Sequence, residues 1–234
     1  MTEMKTAKKY NPNLILHGNL IHAILSLAIP VVINSFLQTM YNLTDTYWLG
    51  KIGTEQLAAI NLVTPMQNII TNFGSGITVA GAVLIAQYIG AGEKEQAKRY
   101  SKKLLGLAYG GMCLTDITLL ILVRPLVGCF SLSGEAFTIT VQLLRTFSIC
   151  AMLIWPLSFA LPNVLRAAGD AKYTMEVSVF SMWVFRVASS YFFAGTLKMG
   201  VLGVWIGMYV DWVFRSLLFV IRYKGGKWLN KRVV

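Results

Sequence analysis

Three acidic and three basic residues lie inside long apolar stretches of this 234-residue chain. Ionisable side chains are costly in lipid, so they normally face a bundle interior or a water-filled cavity, where they pair with one another or bind ions and protons. They are therefore the first candidates for function. The six are Asp45, Asp116, Asp211, Arg145, Arg186 and Arg215.

Counting residues from the connecting turns predicts partners for two of the acids. Asp116 and Arg145 lie almost equally far from a turn near Phe130, so antiparallel helices would place them level, and we predict an ion pair. Asp211 is one helical turn before Arg215 and about 4.5 Å out of level with Arg186, so we expect it to neutralise one or both arginines. Neutralisation that merely lets the helices insert would explain these pairs as well as a functional role does.

Asp45 is the acid for which no basic residue remains at a plausible depth. A carboxylate that is partly removed from water has its charged form disfavoured, which suits it to exchanging a proton or holding a cation. The alternative is a solvated acid just above the membrane, beside the interfacial side chains of Tyr47 and Trp48.

Six apolar stretches must position these residues. The chain is 56% hydrophobic and only 13% charged, which excludes an ordinary soluble domain with about 25% charged residues. Each stretch is long enough to cross a hydrocarbon core of about 30 Å. We predict an all-α integral membrane protein with a transmembrane domain over residues 22–221, flanked by an N-terminal segment, 1–21, and a basic tail, 222–234. The predicted spans are His22–Leu49, Glu55–Ile89, Lys103–Val123, Ala136–Leu165, Tyr173–Ala194 and Met199–Ile221.

The basic residues predict the orientation. In the segments outside the spans, Lys and Arg fall almost entirely on one side, and only Lys51, Arg124 and Lys198 fall on the other. This bias places both termini in the cytoplasm of a multi-pass plasma-membrane protein. The formal net charge of +11 then chiefly reflects topology and favours contact with anionic lipids of the inner leaflet.

Prolines and glycines within the spans predict bends and close packing. A proline inside a helix removes a hydrogen bond and can kink the helix, and the prolines concerned are Pro30, Pro65, Pro156 and Pro162. GxxxG spacing favours close helix contacts. It occurs at Gly106 with Gly110 and at Gly203 with Gly207.

Several kinds of function are excluded by what the chain lacks. The three cysteines are widely separated in apolar runs, and both histidines precede the first apolar stretch, so we expect no metal site or disulfide framework. No nucleophile with a nearby base emerges among the intramembrane residues, so an enzyme is the least supported reading. The basic residues alternate with apolar runs too long for a nucleic-acid groove, and we expect membrane lipids rather than nucleic acid as partners.

A series of short motifs, in order along the chain, resembles the multidrug and toxic compound extrusion (MATE) family. The opening of the family is similar to the segments Leu27–Pro30, Asn42–Asp45, Gly50–Gly53 and Leu57–Ala59. Further similar segments are Gln87–Gly92 and Leu165–Asp170. Each motif is weak alone, whereas their order relative to six spans is fairly specific.

The resemblance implies an efflux carrier that exchanges organic cations or amphipathic drugs for Na⁺ or H⁺, with no other cofactor. Family members have twelve spans in two six-span halves of the same orientation, with a cavity between them. The chain would then be a single lobe that works as a homodimer or with another half. Asp45 matches the cation-coupling acid of the family's first span.

Two departures leave alternatives open. The family's ion site also uses an Asn and an Asp on the fifth span, and our alignment places Phe185 and Ser189 there. The last third of the chain is more similar to the close of a second half, so the sequence is either a half-size carrier or a truncated or inactive joining of two ends. A flippase for lipid-linked glycans is a further alternative, and it would need Arg145 and Arg186 to face a cavity without acidic partners.

Overall fold

The computed structural model describes residues 53–230 and, before them, nine single positions between residues 21 and 43. Five long helices make up most of this part of the chain. They are α1, Thr54–Gly90; α2, Lys94–Gly128; α3, Gly134–Ala167; α4, Ala171–Thr196; and α5, Gly200–Lys224. A short 3₁₀ turn, Lys227–Asn230, follows α5. All five helices are long and apolar enough to cross a membrane.

The last five predicted spans each coincide with one of these helices, although the helices are longer. α2 begins at Lys94 rather than Lys103, because its basic first turns are amphipathic and bury Ala97 and Ser101 on the same face as Leu104. A search of the sequence for continuous apolar stretches detects only the part of such a helix that lies in lipid. Lengths of 25–37 residues exceed the roughly 20 needed for a span, so the helices tilt or extend beyond the hydrocarbon.

The first predicted span, His22–Leu49, lies outside the described residues except for single positions. The described positions are helical and exposed. They are Ile21, Leu25, Ile29, Val32, Ser35, Phe36, Thr39, Met40 and Leu43. A total of six spans therefore stays a prediction.

Alternation of the helices gives the bundle two ends of different charge. α1, α3 and α5 finish at the end where α2 and α4 begin, and we call this the basic end. It carries Lys94, Lys98, Arg99, Lys102, Lys103, Arg166, Lys172, Arg222 and Lys224. The opposite end carries Lys198 and, near the close of α2, Arg124. The charge asymmetry read from the sequence is thus a property of the fold, and the basic end is the one expected in the cytoplasm.

Two of the turns at the basic end are built in the same way. α3 ends with Gly169 in the left-handed region at φ +82°, and the Asp170 N–H donates to the Leu165 carbonyl at 2.9 Å. Gly92, at φ +79°, follows α1 in an equivalent arrangement. This pattern satisfies carbonyls at a helix end and requires a residue that tolerates positive φ. Two of the motifs that resemble the MATE family are therefore helix-ending turns.

The interior is an aromatic and aliphatic core shared by α1, α2, α3 and α5. Phe147 of α3 lies edge-on to Trp205 and Trp212 of α5, with ring centroids 6.4 and 6.1 Å apart. Phe159 stacks on Trp155 at 5.4 Å. Rings in these geometries combine large buried area with favourable edge-to-face contacts, so they tie α5 to the three-helix core.

One of the two GxxxG pairs forms a close helix contact. Gly203 of α5 lies against the α4 backbone, where an added Cβ would stand 2.7 Å from the Ala194 nitrogen. At Gly207 an added Cβ would stand 2.8 Å from the Ser190 nitrogen. The small residues let the two backbones approach, as the sequence predicted.

The other pair does not form a contact. Among the residues that the structure describes, added Cβ atoms at Gly106 and Gly110 of α2 would meet nothing within 4 Å, so helices α1, α3, α4 and α5 do not provide the predicted close packing there. Helix α2 packs instead through the face that buries Ala108 and Met112. GxxxG spacing specifies a smooth stripe on a helix, and whether a neighbour covers that stripe depends on how the helix is rotated.

Candidate functional site

A buried charged cluster lies between α4 and α5. Asp211 is fully buried and forms an ion pair with Arg215 one turn later, and the Ser181 hydroxyl of α4 donates to the same carboxylate. The Arg215 guanidinium lies 5.2 Å from the centroid of the Phe159 ring. The charges are thus neutralised within the lobe, with an aromatic face covering the cation.

Arg186 was the alternative partner for Asp211. It is half-buried in α4, at the end of a π-helical turn, Met182–Arg186. The structure shows no ion pair between Asp211 and Arg186, both of which it describes. Arg186 makes other contacts. Of the two arginines considered from the sequence, Arg215 is the one that neutralises Asp211.

The predicted pair of Asp116 and Arg145 is wrong in this structure. Asp116 of α2 is fully buried beside the Ser148 hydroxyl of α3, whereas Arg145 lies on the exposed face of α3. Side chains of a helix lean toward its N-terminus, so residues level on antiparallel helices lean in opposite directions. Asp116 leans toward the basic end and meets Ser148, which is nearer that end than Arg145. The described residues provide no cation for Asp116.

A stripe of polar residues runs along the exposed side of α1. Asn61, Thr64, Asn68 and Asn72 are spaced three or four residues apart, so they lie on one face, and all four are exposed. The neighbouring exposed face is apolar and includes Ile69, which is 73% exposed. Polar side chains within a span avoid lipid and face a partner or water. We call Asn61, Thr64, Asn68 and Asn72 the polar stripe.

The predicted helix kinks have three different outcomes. Pro156 opens a π-helical turn, Pro156–Ala160, in which the Leu161 N–H donates to the Pro156 carbonyl five residues back. Such turns arise where a helix accommodates an interruption and are frequent at functional sites. α1 continues as a helix through Pro65, which is exposed. Pro30 lies outside the described residues.

The two positions of α4 that depart from the MATE ion site are a ring and a hydroxyl. Phe185 stacks on Phe214 of α5, with ring centroids 3.8 Å apart and planes 27° apart. Ser189 is half-buried. The stacked ring supplies no oxygen ligand, so a cation at this place would need its ligands from elsewhere. Asp45, the acid predicted to couple transport to an ion, lies outside the described residues.

Sequence reasoning missed an ion pair at the basic end. Asp170, in the turn between α3 and α4, is fully buried and accepts from Arg222 Nε at 2.7 Å and from Arg222 Nη2 at 3.3 Å. The Arg222 guanidinium also lies 4.6 Å from the Tyr173 ring centroid. This contact fastens the end of α5 to the turn. The sequence offers one indication of this pair, because Asp170 directly follows Gly169, the glycine at the end of α3. Arg222 lies in the basic tail, whose charges were used only to predict the orientation of the chain in the membrane.

No group of three or more His, Cys, Asp or Glu that could hold a metal occurs among the described residues. Cys113, Cys129 and Cys150 are free thiols. The polar groups of the described lobe thus include neutralised interior pairs, the buried Asp116 and the polar stripe.

Comparison with known proteins identifies the family. The MatE family model matches residues 30–192. The uncharacterized transporter YisQ of Bacillus subtilis is 28% identical over 219 residues, which are 92% of this chain and 47% of YisQ. The probable multidrug resistance protein NorM of Thermotoga maritima is 23% identical over 90% of this chain and 45% of its own length. The chain thus spans about half the length of these curated relatives.

Solved structures give the same result. A multidrug resistance MATE family transporter in an outward-facing conformation has a TM-score of 0.78 and 27% identity, covering 97% of this chain and 50% of that one. A MOP superfamily transporter from Pyrococcus furiosus, described as having a binding pocket of reverse polarity, has a TM-score of 0.75 and 28% identity over 96% of this chain and 48% of its own. The chain belongs to the MATE family and corresponds to about half of a transporter of that family.

Proposed function

We propose that the chain forms one lobe of a multidrug efflux transporter, which exchanges organic cations or amphipathic drugs for Na⁺ or H⁺ across the plasma membrane. The names of its relatives support this, because NorM of Thermotoga maritima is a probable multidrug resistance protein and the human relative, 26% identical, is multidrug and toxin extrusion protein 1. Both termini of the lobe lie in the cytoplasm.

The polar stripe of α1 is the observation that carries the proposal. A lone lobe in lipid would leave four polar side chains facing hydrocarbon, which is unfavourable. A second lobe facing the stripe would enclose a water-accessible space between the two, of the kind through which substrates pass. The chain therefore works with a partner lobe, either a second copy in a homodimer or another half.

Asp45 is the coupling acid in this proposal. Protonation or Na⁺ binding there competes with a cationic substrate in the cavity, and Pro30 lets the first helix bend as the charge changes. The apolar contact between Phe185 of α4 and Phe214 of α5 means that Asp45 works with fewer ligands than the family's full ion site provides. A proton needs fewer ligands than Na⁺, so this contact favours H⁺ as the coupling ion.

The test is efflux of a fluorescent organic cation from proteoliposomes under imposed pH or Na⁺ gradients. We expect Asp45→Asn to abolish the gradient dependence, and Glu176→Gln, at an exposed acid of α4, to retain it. Unaltered gradient dependence in Asp45→Asn would rule out Asp45. Cross-linking tests the partner lobe separately. Transport by a protein for which cross-linking detects only monomers would rule out the dimer.

Two other functions make different predictions in the same assay. A truncated or inactive lobe would show no efflux alone or with a second half. A flippase for lipid-linked glycans is favoured by one observation, the exposed Arg145, which has no ion pair with Asp116. It predicts translocation of an anionic lipid-linked probe that is lost in Arg145→Gln, with no efflux of the organic cation.

A further inference from the structure

An apolar groove runs between α1 and α2 in the half of the bundle nearest the basic end. Its volume is about 370 Å³, within the range of small-ligand sites. Apolar side chains that include Ile77, Ala80, Leu84 and Leu107 line it, and Tyr100 and Lys103 stand at one end. Leu84 is 48% exposed and Leu107 is 61% exposed, so the groove opens sideways from the bundle, toward the place that lipid occupies in a membrane.

One end of the groove carries a positioned cation. Lys103 Nζ lies 5.2 Å from the centroid of the Tyr100 ring, and that ring stacks on Tyr88 of α1 at 4.8 Å. Tyr88 and Tyr100 are nearer the basic end than Ile77 and Leu107. The groove is thus charged and aromatic at its end near the membrane surface, and purely hydrocarbon toward the middle of the bundle.

The surroundings of Lys103 favour an anion. Lys98, Arg99 and Lys102 of the same helix are exposed beside it, and these turns follow the positive end of the helix dipole. The acids Glu93 and Glu95 offset only part of this charge. Clusters of basic residues at the end of a membrane helix attract anionic lipid headgroups.

We propose that this groove binds one anionic phospholipid, with its phosphate at Lys103 and an acyl chain lying between α1 and α2. A phospholipid has an anionic headgroup followed by hydrocarbon chains. The groove presents the matching features in the same order, with the cationic Lys103 at its end and an apolar lining beyond it. Gly81 shapes the floor, since a Cβ there would collide with the Leu104 side chain. The site concerns the lipid-facing side of the lobe, away from the polar stripe, and does not depend on transport.

Native mass spectrometry of the purified full chain tests the site with phosphatidylglycerol against phosphatidylcholine. We expect one tightly held phosphatidylglycerol and no tightly held phosphatidylcholine. Lys103→Gln should weaken that binding about fivefold, the effect of one basic residue at a lipid headgroup. The matched control is Lys102→Gln, which removes the same charge at an exposed neighbour outside the groove and should change binding less than twofold.

A second pair of variants tests the acyl chain. Ala80→Phe places a ring in the groove and should abolish the tight binding, whereas Val83→Phe, on an exposed face outside the groove, should retain it. Glycerol 3-phosphate should not displace the lipid, because it lacks the acyl chain.

Three results would overturn the proposal. Equal losses of binding in the two lysine variants would overturn it in favour of a diffuse basic surface. Displacement by glycerol 3-phosphate would overturn it in favour of a phosphate site, and an Ala80→Cys cross-link to a second copy without retained lipid would show a protein occupant.

Discussion

The contact between α4 and α5 at Gly203 allows a sharp test of the packing. An alanine Cβ there would stand 2.7 Å from the Ala194 nitrogen, 2.7 Å from the Phe193 carbonyl carbon and 2.9 Å from the Ala194 Cα. All three are backbone atoms, which no side-chain rotation can move aside. Gly203→Ala therefore requires the two helices to separate by at least about half an ångström, within a close-packed interior.

The expected effect is the difference of two opposing terms. Overpacking of this kind lowers the free energy of unfolding by about 1–3 kcal/mol, whereas replacing glycine by alanine in a helix raises it by up to about 1 kcal/mol. We expect Gly203→Ala to lower the free energy of unfolding by about 1–2 kcal/mol. The matched control is Gly110→Ala, where the added Cβ meets nothing within 4 Å and only the favourable helix term of up to about 1 kcal/mol remains.

The two variants can be compared by reversible unfolding in mixed micelles with increasing sodium dodecyl sulfate, followed by far-ultraviolet circular dichroism. We expect the midpoint to fall for Gly203→Ala and to stay or rise for Gly110→Ala. If Gly203→Ala proves as stable as Gly110→Ala, then α4 and α5 do not approach as closely as described. The same outcome would also show that close contact with a neighbouring helix does not distinguish the pair Gly203 and Gly207 from the pair Gly106 and Gly110.

Four further substitutions separate buried from exposed charge. Asp170→Asn removes the buried partner of Arg222 and should lower the free energy of unfolding by about 2–3 kcal/mol. Glu176→Gln, at an exposed ion pair, should lower it by less than about 0.5 kcal/mol. Equal midpoints for the two variants in the same unfolding assay would contradict the ion pair between Asp170 and Arg222. Arg145→Gln should leave the midpoint unchanged and Asp116→Asn should leave it unchanged or raise it, because no ion pair is broken and one buried charge disappears. A loss of about 3 kcal/mol in Arg145→Gln would restore the rejected pair.

The spans of the described lobe could be predicted because they depend on local composition. Apolar length and the sidedness of Lys and Arg are both properties of short segments, and they placed α1 to α5 and the basic end correctly. The family resemblance rested on short motifs, two of which the structure explains as turns that need Gly92 and Gly169. The bounds failed where a helix left the membrane, as at the amphipathic start of α2.

Charge pairs could be predicted only where one helix carried both partners. Asp211 and Arg215 are one turn apart on α5, so local spacing was enough. For Asp116 and Arg145, residue counting gave the level on two helices but neither the rotation nor the lean of the side chains. Asp170 and Arg222 were missed for a related reason, since nothing local links a turn after α3 to the end of α5.

The distribution of polar groups indicates where the lobe meets its function. In the part of the chain that the structure describes, Asp211 and Asp170 each have a cation within the lobe. The Ser181–Asp211 hydrogen bond holds α5 against α4, and the Asp170–Arg222 pair fastens the end of α5 to the turn between α3 and α4. The polar stripe of α1 and Arg145 are instead exposed. Charges that are neutralised inside a lobe are not accessible to substrate, whereas polar groups on its surface remain available to solvent, substrate or a second lobe. Under the proposed function, substitutions that impair transport without unfolding the protein should map to the polar stripe of α1 and to Asp45, and those that unfold it should map to the contacts of α5.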